Sequence, residues 1–162
     1  MSMKITVVNI GPIKRTILLL IFCLTTFNLF GQDENVINFG SEVTLTLRQT
    51  TSGVYTYKIT SIKKFNKMVD LDDNSLLAAN VQSDQVKLYF CQGGYGTRDQ
   101  TLLIIKSGVL IPLKYIASIR LSSHDKFEST SVHQLQPNVL SIEMWHWPLE
   151  AITLSDFSKA TE

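Results

Sequence analysis

An all-β fold, an antiparallel β-sandwich, is predicted by three observations. Apolar residues recur at every second position over most of the chain, turn-forming clusters separate these runs, and only one short stretch has helical character. The count comes to about eight short strands with at most one short helix, the rhythm of a sandwich or a barrel. The sandwich is preferred because the connection from Phe65 to Gln85 is long enough to cross between two sheets, whereas an up-and-down barrel uses short hairpins throughout. Any immunoglobulin-like character is architectural only, since the paired cysteines of that fold are absent.

The first strand sets Val43, Leu45 and Leu47 on one face against Glu42, Thr44, Thr46 and Arg48 on the other, a half-buried pattern. Thr50-Thr51-Ser52-Gly53 is turn-prone, and Val54 to Ile62 alternates again with Tyr55, Tyr57 and Ile59 on one face, which completes a hairpin. Asn74 to Asn80, with Leu76-Leu77-Ala78-Ala79 and a cap at Asp73 or Asn74, is the candidate helix. Val86, Leu88 and Phe90 alternate with Lys87, Tyr89 and Cys91, and a loop from Gln92 to Asp99 follows. Leu102 to Ile105 is apolar without alternation, the mark of a strand covered on both faces.

Beyond the Ser107-Gly108 turn and Pro112, the residues Leu113, Tyr115, Ala117, Ile119 and Leu121 form the longest clean row. Phe127 to Gln134 is rich in Ser, Thr and Val, and Leu135-Gln136-Pro137-Asn138 supplies the turn of a second hairpin with Leu140, Ile142 and Met144 pointing inward. Pro148 interrupts the ladder, so the last strand, Ala151 to Phe157, is expected at a sheet edge or after a bend. Val43, Leu45, Leu47, Leu88, Ile104, Tyr115, Ile119, Leu140 and Ile142 are expected in one sandwich core.

Residues 1–31 follow a different logic. Lys4, Lys14 and Arg15 are their only charges, and the apolar-dominated block Thr16 to Phe30 is centred on Ile17 to Leu24. This core has signal-peptide length and is shorter than the ~20 residues of a membrane-spanning helix. Cleavage is expected after the small residue Gly31, before the polar Gln32-Asp33-Glu34-Asn35, although Leu29 departs from the small-x-small pattern. The ending Leu29-Phe30-Gly31-Gln32 resembles signal peptides of some Gram-negative bacteria, which place Gln first in the mature chain. Lipid attachment at Cys23 is disfavoured by the bulky Ile21 and Phe22 before it. The expectation is export to the periplasm or the cell exterior, with no stable membrane anchor after cleavage.

Residues 32–162 then form a single domain with enough chain for a substantial core. The whole chain has a formal charge of +1; without its first 31 residues it holds 12 Lys+Arg against 14 Asp+Glu, a charge of −2. Its tight basic group is confined to Lys63-Lys64 with Lys67, which argues against nucleic acid as a partner. Cys91 is the single cysteine left, so an internal disulfide is ruled out after cleavage.

Trp145-His146-Trp147-Pro148 is the densest group of large aromatic side chains. With Leu140, Ile142 and Met144 inward, the two-residue period turns Trp145 outward, where an indole stacks on a sugar or anchors a protein partner and His146 adds a hydrogen bond. The second candidate contact is the glycine-containing loop, with Tyr95 and Arg98; it lacks the helix start and Lys-Ser/Thr pair of a phosphate cradle. Asp70, Asp72 and Asn74 match the first offsets of a calcium loop, but Ser75 and Val81 replace the required Gly and Glu, leaving a solvated acidic loop. No metal or cofactor site is expected. Cys91 has no local His, and His124-Asp125 and His133 near several serines lack the spacing of a catalytic set.

These features describe an exported, non-enzymatic binding or protein-interaction domain whose partner is another protein. The alternative is a carbohydrate-binding module or small glycan-active protein, with Trp145, Trp147, Tyr95 and Tyr115 as stacking rings. Export carries its own test: amino-terminal sequencing of the protein from its native envelope should begin at Gln32, and a membrane-embedded product beginning at Met1 would refute cleavage.

Overall fold

The computed structural model describes residues 35–72, 80–95 and 100–160. The signal segment, the candidate helix apart from Asn80, and Arg98 lie outside the described residues. Ten strands and no helix are found among the described residues: β1 (Val36–Asn38), β2 (Ser41–Gln49), β3 (Tyr55–Lys64), β4 (Val69–Asp70), β5 (Gln85–Gly94), β6 (Gln100–Ser107), β7 (Leu113–Leu121), β8 (Glu128–Thr130), β9 (Leu140–Trp145) and β10 (Leu149–Lys159). The expected sandwich is present, with β1 and β4 as the strands beyond those the alternation marks.

One sheet has the order β1-β10-β7-β8 and the other β3-β2-β5-β6-β9, all antiparallel, with β4 added to β5 in parallel. The chain crosses between the sheets at β1 to β2, β6 to β7, β8 to β9 and β9 to β10. The Phe65 to Gln85 connection is therefore not a crossover, contrary to expectation: β3 and β5 flank β2 in the same sheet, and Phe65, Val69 and Leu71 pack on that sheet's outer face. The Gln136 region is likewise no hairpin turn, because β8 pairs with β7 and β9 with β6. Nor is β10 an edge. Pro148 precedes its first residue, and β10 lies between β1 and β7, so the missing proline donor falls before the ladder begins.

The core divides in two for a reason that lies in β6. Leu103 and Ile105 face the other sheet, together with Val43, Leu45, Leu88, Phe90, Ile119 and Phe157. Leu102 and Ile104 face the opposite way and form a second cluster with Val69, Tyr89 and Cys91, flanked by Phe65, Leu71, Leu140 and Ile142. The run Leu102 to Ile105 is thus buried on both faces, as its lack of alternation predicts. Ile104, Leu140 and Ile142 belong to the outer cluster and not to the inter-sheet core, so the single core expected from the sequence is corrected to two.

Between the sheets, Phe157 stacks on Tyr115 with centroids 5.5 Å apart and receives the edge of Tyr57 at 5.6 Å. The Tyr57 hydroxyl donates to the Leu154 carbonyl, which ties the β3 edge to β10. On the outer face, β4 approaches β5 so closely that a Cβ at Gly93 would collide with the Val69 carbonyl oxygen. Gly93 is therefore a close-approach glycine inside a strand rather than the start of a loop.

Leu103→Ala should cost about 2–5 kcal/mol and Ile142→Ala, half-buried at the sheet margin, less than about 2 kcal/mol, read from urea midpoints. Equal losses would place Ile142 in the inter-sheet core. Cys91 is a buried free thiol, and burial pushes it up from 9.0 to about 12. Only the unfolded state then ionises readily, so this contribution is intact below pH 9.0 and is lost as pH rises toward about 12. Tyr57 and Tyr115, held above the ordinary phenol value by burial, steepen the same alkaline loss. Cys91→Ala should flatten the stability–pH slope above pH 9.0; an unchanged slope would contradict the burial.

Candidate functional site

Sheet register brings two distant segments to one end of the six-stranded sheet. Gly93 pairs with Gln100, and Thr101 pairs with Trp145, so the chain leaving β5 at Tyr95 and the turn leaving β9 at His146 emerge side by side. The sequence candidates divide here. Trp147 is 50% exposed and Tyr95 56% exposed. His146 is also exposed. Trp145 is 7% exposed and belongs to the inter-sheet core, so the outward orientation expected for it is corrected.

The reason is the pairing of β9. Residues opposite each other across a ladder share a face, and Leu103, which points inward, lies opposite Glu143. Glu143 and Trp145 therefore point inward, while Ile142 joins the outer cluster and Met144 is exposed. Tyr115, another stacking candidate, is buried against Phe157 and is unavailable to a ligand.

A cleft of about 320 Å³ opens beside the turn, lined among others by Phe39, Gln92, Gln100, Ser122, His146 and Trp147. Its size is at the lower end for small-molecule sites. Among the described residues no Lys, Arg, Asp or Glu lines it. The wall is held from behind by Thr101, 5% exposed, whose hydroxyl donates to the Trp147 carbonyl at 3.0 Å and accepts the Leu149 N–H at 3.4 Å. One buried side chain thus satisfies the backbone on both sides of Pro148 and sets the position of Trp147. Gln100 Nε2 donates to His146 Nδ1 at 3.0 Å, which leaves the imidazole Nε2 to carry the proton. Phe39 closes the other side, edge-on to Phe90 with centroids 5.7 Å apart.

Chemically the cleft offers one indole, two primary amides, an imidazole and two hydroxyls, of which that of Thr101 is engaged by the backbone. Such a set makes hydrogen bonds in both senses around an apolar face and, among the described residues, includes no ion to neutralise a charged ligand. Gln92, Gln100, Ser122 and Phe39 carry no local motif. Apart from their residue types, nothing in the sequence marks them, because strand register and the β1 to β2 corner bring them together.

The ionisable groups elsewhere are organised differently. Glu143, buried on the inner face of the edge strand β9, accepts the His133 backbone N–H at 2.7 Å and approaches His133 Nδ1 at 3.0 Å. These contacts compensate the burial of a carboxylate. The Tyr115 hydroxyl is buried without a hydrogen-bond partner among the described residues, and burial together with the Glu143 charge holds it far above the ordinary phenol value. Ser123 Oγ and His124 Nδ1 lie 3.3 Å apart as chain neighbours on the surface. The Asp70 carboxylate accepts the Asp72 N–H at 3.0 Å, a local turn bond. Among the described residues no group of three His, Cys, Asp or Glu converges on a metal position.

The two tryptophans should separate in mutagenesis. Trp145→Ala should lower stability by about 3–5 kcal/mol, whereas Trp147→Ala should leave the urea midpoint nearly unchanged. Equal effects would contradict the opposite exposure of the two indoles.

The chain matches no protein-family model, no curated protein and no solved structure.

Proposed function

We propose that this chain is an exported, non-enzymatic binding domain, and that the cleft beside Trp147 takes a neutral sugar unit of a glycan. The observation that carries this reading is the cleft's lining: a half-exposed indole surrounded by amide, imidazole and hydroxyl groups, with no charged side chain among the described residues. A sugar ring has apolar C–H faces for the indole and hydroxyls that both donate and accept. The Gln, His and Ser side chains supply the matching donors and acceptors. Burial of Trp145 removes one of the two indoles that favoured a protein hot spot here, and the concave shape suits a compact group. Tyr95 stands at the same end of the sheet as a second exposed ring.

The test is a screen of the mature domain against immobilised neutral and acidic oligosaccharides, followed by titration of the best ligand. Neutral saccharides should be retained. Trp147→Ala should weaken them by about tenfold or more, equivalent to about 1.4 kcal/mol, without a change in thermal midpoint. Retention of no saccharide, or equal affinity for the Trp147→Ala protein, would overturn the assignment.

A further inference from the structure

The six-stranded sheet ends in β3, whose ten residues make it one of the longest strands, and this edge is chemically unlike the cleft. Only β2 pairs with β3 among the described strands. The isolated bridge from Val54 to Ser158 stops one residue before β3 begins, so no described strand pairs with the second row of backbone donors and acceptors of Tyr55 to Lys64.

A β-bulge determines which side chains stand beside that row. The β2–β3 register passes from Thr44–Ser61 to Leu45–Ile59, leaving Thr60 as the extra residue, and the Thr60 hydroxyl donates to the Thr44 carbonyl at 3.1 Å. The extra residue reverses the alternation. Lys58 and Lys63, five positions apart, therefore share the outer face: Lys58 lies opposite Thr46 and Lys63 opposite Glu42. Glu42 is engaged by Lys87 at 2.9 Å. Arg48, Lys58, Lys63 and Lys64 form no ion pair among the described residues, and β3 contains no acidic residue. A groove of about 290 Å³ runs along this face, lined by Thr46, Arg48, Thr56, Tyr57, Lys58 and Thr60. Among the described residues its lining contains two cations and three threonine hydroxyls, with no carboxylate.

We propose that β3 is a docking edge for an extended acidic segment of a partner protein, which adds as a further strand and lays its carboxylates along Arg48, Lys58 and Lys63. Backbone pairing supplies affinity and the alternate side chains supply selectivity, as in other strand additions. The same lysines oppose pairing of β3 with a second copy of this chain, because like charges would face each other across the new ladder. Charge complementarity thus selects an acidic occupant and excludes self-association. This edge is separate from the sugar cleft, so each assignment stands or falls without the other.

The probe is a labelled peptide of the same length as β3 that alternates glutamate with valine and threonine, titrated into the mature domain by fluorescence anisotropy at low and high salt. Binding should weaken with salt, and amide hydrogen exchange of Tyr57 to Lys64 should slow in the complex. The Lys58→Glu/Lys63→Glu protein should lose about tenfold or more in affinity. A peptide of the same charge with alternate backbone nitrogens methylated should not bind, because it has lost donors for the new ladder. Arg48→Gln, milder in charge, should weaken binding in a protein whose thermal midpoint is checked beside the wild type. Absence of binding would leave the lysines a purely protective edge and overturn the proposal. It would also be overturned by full affinity of the methylated peptide, by unchanged affinity in the charge variants, or by unprotected β3 amides in the complex.

Discussion

The constraint on which this structure depends is the burial of one strand on both faces. Leu103 and Ile105 of β6 need cover from the opposing sheet, and Leu102 and Ile104 need cover on the other side. A fully buried Leu or Ile side chain contributes about 1.5–3 kcal/mol, so exposing either row would forfeit several such terms. The inner row is covered by β10 and β7 through Phe157, Tyr115 and Ile152. The outer row is covered by the segment from Phe65 to Leu71, which pins β4 against β5 at Gly93. Two-sided cover is why Phe65 to Leu71 packs back on the sheet that β3 belongs to. It is also why Leu140 and Ile142 of β9 turn outward.

That outward turn shapes the functional end of the molecule. With Ile142 drawn into the outer cluster, the strict alternation of a strand sends Glu143 and Trp145 into the space between the sheets. Trp145 completes the core at the end of β9, and Glu143 is kept there by the His133 N–H and imidazole. The chain then turns sharply toward the second sheet. Thr101 bonds both sides of Pro148, and Trp147 is left half-exposed on the wall of the cleft. One indole anchors the turn and the other is presented by it, so two neighbouring tryptophans serve different physical ends.

The surface is divided by charge in a way the near-neutral total conceals. Among the described residues the cleft is lined without ions, whereas the β2–β3 hairpin gathers Arg48, Lys58, Lys63 and Lys64 around a strand edge that no described strand pairs. The bulge at Thr60 makes this grouping, because without it Lys58 and Lys63 would project from opposite faces. A neutral cleft and a basic edge suit different ligands, one compact and uncharged, the other extended and acidic.

Much of the fold is legible in the residues themselves. The alternation of Val43, Leu45 and Leu47 and of Leu113 to Leu121 marks half-buried strands, and the unbroken Leu102 to Ile105 marks a strand buried twice, because side-chain period and burial are linked locally. The turn at Trp145 to Pro148 is legible as a concentration of aromatic rings. Which ring faces out is not. On β9 both faces carry apolar groups, so periodicity alone assigns Leu140, Ile142 and Met144 inward, and only pairing with β6 reverses the choice. The position of β10 between β1 and β7, the packing of Phe65 to Leu71 on the outer face, and the meeting of Gln92, Gln100, Phe39 and Trp147 at one cleft are likewise tertiary outcomes. Local sequence determined the strands and their apolar rows. Only the packed sheets decided which row is covered by what, because burial depends on neighbours that lie far away along the chain.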